Sequence, residues 1–150
     1  MDKEKLKKEI VTTCMNTLEK SVETIRERIA EIIQTANDYE GDHDIFDPFK
    51  EDMMKKKDLQ VKQMEKHLDE IKVLRKADPK RISDKVEFGS VVITDKQRMF
   101  VSVALGKVSV EGDTYYVIST QVPAYQAMKD LKAGESFSIN NNKFVIQDVF

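Results

Sequence analysis

The chain has 150 residues, 40 % of them apolar and 35 % charged, with a formal net charge of −2. That length holds one or two small domains, and the charge excess suits a coiled coil with a small globular partner. The near-neutral balance excludes a nucleic-acid polycation, and a single cysteine, Cys14, excludes an internal disulfide or a thiolate zinc site.

His43 and His67 do not make a zinc site either. The first ten residues, MDKEKLKKEI, lack the apolar core of a secretory signal. No uncharged apolar run approaches a membrane span. These features point to a soluble protein of a reducing cytoplasm, with no membrane partner.

From Val11 the apolar residues fall at Val11, Met15, Leu18, Val22, Ile25, Ile29, Ile32 and Ala36. The steps alternate between four and three, which is a heptad seam. Charges of both signs occupy the positions between. Neither Gly nor Pro occurs between Asp2 and Glu40. The spacing predicts a helix over 3–36, about 50 Å long, which should project from a chain of this size.

Residues 37–52, NDYEGDHDIFDPFKED, carry seven carboxylates among sixteen residues. Gly41 and Pro48 break helical continuity there. Three readings are open. The first is a solvated loop in which Asp47-Pro48 is an N-cap and N1 pair, with Glu51 and Asp52 in the favourable first turn. The second is calcium binding, although the twelve-residue EF-hand pattern is absent. The third is a carboxylate set that shares a partner's metal, since Mg²⁺ takes few protein carboxylates alongside substrate phosphates. Ile45, Phe46 and Phe49 either pack within the bend or meet another surface.

After Pro48 the pattern resumes at Met54, Val61, Met64, Leu68 and Ile71, with Lys57 at one heptad position and Met53 and Leu74 alongside. A helix over 48–76 follows. The short connection favours antiparallel neighbours over a parallel homodimer, so a monomer is expected. Lys50, Lys55, Lys56, Lys57, Lys62 and Lys66 form a basic band behind the acids. It is either a solvated face or a contact for a nucleic-acid backbone.

Pro79 ends the helical pattern, and the period changes from 3.5 to 2. Residues 77–84 read as a linker. Strands are expected over 85–94, with a possible bulge at Gly89, then over 98–105, 108–110 and 114–119. Pro123 opens a short helix over 124–131 that ends at Ala133-Gly134. Strands over 135–139 and 143–149 then form a hairpin across Asn140-Asn141-Asn142. The expected fold class is α+β: an antiparallel helical coiled-coil hairpin over 1–76, with an acidic tip at 37–52, then a small antiparallel sheet domain with one short helix over 85–150. The sheet domain shows no Ser/His/Asp set and no phosphate loop, and an exposed tip offers no pocket, so an enzyme acting alone is not expected.

This plan, together with Lys85-Val86-Glu87-Phe88-Gly89-Ser90-Val91-Val92, Ile118-Ser119-Thr120-Gln121-Val122-Pro123-Ala124 and the helix end from Ala127-Met128 to Gly134-Glu135, resembles the Gre transcript-cleavage (transcription elongation) factor family. The resemblance implies an FKBP-like fold for the C-terminal domain, used for docking at the mouth of the bacterial RNA polymerase secondary channel. It implies a coiled coil that enters the channel, where tip acids help hold the polymerase's catalytic Mg²⁺. The polymerase then hydrolyses the 3′ end of backtracked nascent RNA. The factor is accessory and has no cofactor of its own.

The family's tip reads Gly-Asp-x-x-Glu-Asn. Gly41-Asp42 matches its first pair, whereas Ile45 and Phe46 stand where the glutamate and asparagine would be. Asp42 carries over directly. Asp44 is the substitute second acid, with Glu40 in reserve, and Lys50, Lys55, Lys56 and Lys57 are candidate RNA contacts. The alternatives are a channel-binding regulator or inhibitor that does not cleave, and a coiled-coil adaptor with an unrelated partner.

Overall fold

A run with no Gly or Pro forms α1 (Lys3–Asn37, 35 residues), and Pro48 opens α2 (Pro48–Leu74, 27 residues). The computed structural model describes residues 2–39 and 47–150. They divide into two compact units, Met1–Asn16 with Lys72–Phe150, and Thr17–Ile71. No helix among the described residues is long and apolar enough to cross a membrane.

The unit Thr17–Ile71 is an antiparallel helix pair. Residues 17–28 share a groove with residues 59–67, while residues 32–37 share a recess with residues 53–57. Leu18, Val22 and Ile25 are buried as the heptad requires. On α2 the seam differs from the expected one. Met54 is 60 % exposed, and Met53 is half-buried in its place. The inward columns are Met53, Gln60, His67 and Leu74, and Lys57, Met64 and Ile71, each repeating every seven residues. Val61 and Leu68 sit half-buried beside them. A search for apolar residues passes over Gln60 and His67 and selects these neighbours instead.

The other unit joins the first turns of α1 to a six-stranded sheet. Its strands are β1 (Val91–Thr94), β2 (Arg98–Ser102), β3 (Gly106–Val110), β4 (Asp113–Ser119), β5 (Ser136–Ile139) and β6 (Asn142–Val149), in the order β3-β4-β2-β1-β6-β5. The sheet is mostly antiparallel, as expected, but β2 and β4 run parallel, from Arg98↔Tyr115 to Ser102↔Ser119. β3 takes the outer edge, so β4 returns between β3 and β2 in β2's own direction. Alternation of side chains predicts faces but not which strands become neighbours.

The expected strand over 85–94 exists only from Val91. Lys85 makes an isolated bridge to Lys132, and the chain turns before β1. Gly89 has φ +89°, a conformation that an L residue adopts only with strain, so it marks a turn and not a bulge within a strand. Asn140 and Asn141 have φ 50° and 70°, as the hairpin reading required. The short helix α3 (Pro123–Met128) stops earlier than expected, with Asp130 at φ 64° just beyond it.

One face of the sheet buries Val92, Met99, Val101 and Ile146 with Tyr125 and Met128 of α3. The opposite face buries Val91, Phe100, Tyr115 and Val117. In this unit the buried apolar residues of α1 are Leu6, Ile10 and Cys14, at steps of four, with Lys7 buried beside them, while Val11 and Met15 are only half-buried. Lys3 Nζ reaches Asp148 Oδ1 at 3.0 Å and lies over the Phe150 ring.

Burial pushes the Cys14 thiol up to about 12. Ellman's reagent at pH 8 should therefore react roughly a thousandfold more slowly with the folded protein than with the urea-unfolded chain. The folded state holds the thiol proton more tightly, so this contribution to stability is complete below about 9 and is lost as pH climbs toward 12. Matched rates in the two states would refute the burial.

Candidate functional site: the acid-rich end of the helix pair

The end of α1 and the start of α2 meet through aromatic contact. The rings of Tyr39 and Phe49 lie 4.3 Å apart, tilted by 30°. Asp47 begins α2. Its Oδ1 accepts the Phe49 N–H at 2.9 Å, and its carbonyl accepts the Glu51 N–H at 3.1 Å. Pro48 lacks an N–H, so it costs nothing at the first helical position. Asp47 is therefore the N-cap that the sequence suggested, and it is 6 % exposed. Asp47→Ala should cost about 1 kcal/mol, read as a lower urea midpoint and a loss of helical circular dichroism. An unchanged midpoint would show that the cap carries no weight.

The sequence between these ends includes Glu40, Asp42 and Asp44, together with Gly41, His43, Ile45 and Phe46. All lie outside the described residues. Among the described residues, no group of three or more His, Cys, Asp or Glu is placed to hold a metal ion.

The lysines behind the bend fall into different settings. Lys55 Nζ lies 3.5 Å from Glu51 Oε1, and Lys56 Nζ lies 3.3 Å from Asp52 Oδ2. Both are exposed pairs one helical turn apart, worth a few tenths of a kcal/mol at most and screened by salt. Such pairs leave both lysines able to turn toward an incoming phosphate. Lys50 and Lys57 are half-buried. Lys57 lines a recess of about 260 Å³ with Ile32, Ile33, Ala36, Met53 and Met54. Its place in the inward column explains that burial, because its aliphatic stem covers apolar surface while the charge stays wet.

Further along the pair, a groove of about 750 Å³ lies between the helices, lined by Lys20 and Arg28 of α1 and Leu59, Gln60, Gln63 and His67 of α2. Gln60 Oε1 and His67 Nδ1 are buried atoms with no hydrogen-bond partner among the described residues. His67 Nδ1 lies 3.8 Å from Glu70 Oε1, beyond hydrogen-bond range. Sequence reasoning missed these two groups. The signal that would have found them is the seven-residue repeat Met53, Gln60, His67, Leu74.

No protein-family model and no curated protein matches the sequence. The solved structures to which the chain is similar include a crystal structure of GreA factor homolog 1 (Gfh1) of Thermus thermophilus, at 18 % identity and a TM-score of 0.34, covering 91 % of this chain and 94 % of that one. They also include a structure of the transcription factor Gfh1, at 18 % identity and a TM-score of 0.35, covering 91 % and 93 %.

Proposed function

We propose that this chain is a Gre-type factor that binds bacterial RNA polymerase at its secondary channel, and that its bend acids act at the polymerase Mg²⁺ site to promote cleavage of backtracked RNA. The supporting observation is the closed end of the helix pair. There the Tyr39–Phe49 contact and the Asp47 cap bring together the two helix termini that flank the acid-rich sequence. The family resemblance carried by residues 85–92 and 118–124 supplies the partner.

Asp47 is engaged in capping, so Asp42 and Asp44 are the acids proposed for the metal, with Glu40 in reserve. Carboxylate oxygens suit Mg²⁺. The metal, when present, activates water and stabilises the leaving oxygen. On this reading the chain works as an accessory factor in the cytoplasm, a monomer with no cofactor of its own. Lys50, Lys55, Lys56 and Lys57 would meet the RNA backbone near its 3′ end.

A second reading is a channel-binding regulator that does not cleave. Ile45 and Phe46 favour it, because they stand where the family's glutamate and asparagine would be. The test is a backtracked elongation complex with Mg²⁺ and purified protein, with binding followed separately by competition against a known channel-binding factor. Shortened, re-extendable RNA supports cleavage. Binding without shortening supports the regulator, and no binding overturns both.

A further inference from the structure

A cavity of about 180 Å³ lies beside the first turns of α1, lined by Lys7, Lys76, Asp78, Arg81, Glu87 and Ser90 among others. Lys7 is 3 % exposed. Its ammonium has three donors, and the acceptor it has among the described residues is the Arg81 carbonyl. No carboxylate comes within ion-pair distance of it among the described residues.

The two acids of the cavity are already engaged. Glu87 Oε1 takes Arg81 Nη2 at 3.0 Å, and Asp78 Oδ1 accepts the Lys80 N–H at 3.0 Å. Ser90 Oγ accepts the Glu87 N–H and donates to the Lys85 carbonyl. The wall carries three cations, Lys7, Lys76 and Arg81, against the two carboxylates, so one positive charge is in excess, and Lys7 is the buried cation among them. A buried charge without a counter-ion is costly, and an oxyanion is the group that removes the cost.

We propose that this cavity is a binding site for a phosphate-class oxyanion, held by the Lys7 ammonium with help from Lys76. Its size suits a free phosphate or the end of a phosphomonoester. Lys7 itself is consistent with an unmet need for negative charge. Desolvation holds its ammonium below the ordinary lysine range, and Arg81 adds to this while Glu87 and Asp78 oppose it. A bound oxyanion would supply the opposing charge at closer range. The bound group would also link α1 to the 77–90 segment, since Lys7 and Arg81 already touch.

The probes are inorganic phosphate and methyl phosphate, titrated at fixed ionic strength against chloride and acetate, read by calorimetry and ³¹P line broadening. The expected result is saturable 1:1 phosphate binding, with Tm raised roughly 3–6 °C at tenfold excess over Kd. Lys7→Met should abolish binding, and Lys76→Gln should weaken it several-fold. A general salting effect would raise both wild type and Lys7→Met equally. Methyl phosphate binding as tightly as phosphate assigns the site to a phosphomonoester, and rejection of it assigns the site to the free ion. If Lys7→Met fails to fold, Lys76→Gln with Arg81→Gln carries the test. Absence of saturation, or binding unchanged in the variants, overturns the proposal.

Discussion

Phe100→Ala is expected to lower stability by about 3–5 kcal/mol, a large part of the roughly 5–15 kcal/mol that holds a domain folded. Phe100 is fully buried on β2, which lies inside the sheet between β1 and β4. It stands opposite Val91 on one side and Val117 on the other. Truncation removes transfer energy and leaves a cavity, and interior strands have little freedom to close it. Urea unfolding should show a lower midpoint with an unchanged slope. Met54→Ala, at a site 60 % exposed, should stay within about 0.5 kcal/mol. A loss below about 1 kcal/mol at Phe100 would mean that this face of the sheet is loosely packed.

The second large effect concerns the proposed chemistry. In the backtracked-complex assay, Asp42→Ala and Asp44→Ala are each expected to reduce stimulated cleavage by on the order of 100-fold or more, toward the factor-free rate, since each removes an oxygen donor proposed for the metal. Binding to polymerase should persist. Asp47→Ala is the informative control, because the same stretch of sequence supplies it. Its carboxylate already accepts the Phe49 N–H, so it should lose stability and keep cleavage. Equal cleavage by wild type and the Asp42→Ala/Asp44→Ala double variant would remove the proposed role of these acids. Cleavage lost only in Asp47→Ala would reassign the metal to the cap.

The helices were legible because their signals are local. The absence of Gly and Pro over 3–39 and the Asp47-Pro48 pair place the starts of both long helices where expected, whereas α1 ends one residue later and α2 two residues earlier than expected. The turns with positive φ at Asn140 and Asn141 were legible for the same reason. Three features were not. The parallel β2–β4 pair depends on which strand takes an edge, and that is decided by the whole sheet. Gln60 and His67 were hidden because periodicity was counted over apolar residues, although a seam tolerates polar members when they help set register. Lys7 was unreadable because a lysine beside Leu6 and Ile10 looks like an outer-face residue until the 77–90 segment closes over it. The acids central to the proposed function lie outside the described residues, so the sequence remains their witness.

The helix pair also has a graded grip. On α1 the side chains pass from buried at Leu18, Val22 and Ile25 to half-buried at Ile29, Ile32 and Ala36. On α2 the inward side chains pass from buried Ile71 to half-buried Met64, Gln60, Lys57 and Met53. Local opening costs least where the fewest apolar contacts must break. Amide hydrogen exchange should therefore be fastest near Asn37 and Pro48 and slow progressively toward Leu18 and Ile71, and uniform protection would contradict this. On the proposed function, the pair is a clasp held most tightly toward Leu18 and Ile71, and the end that carries the proposed metal acids is expected to be the first to open against a partner.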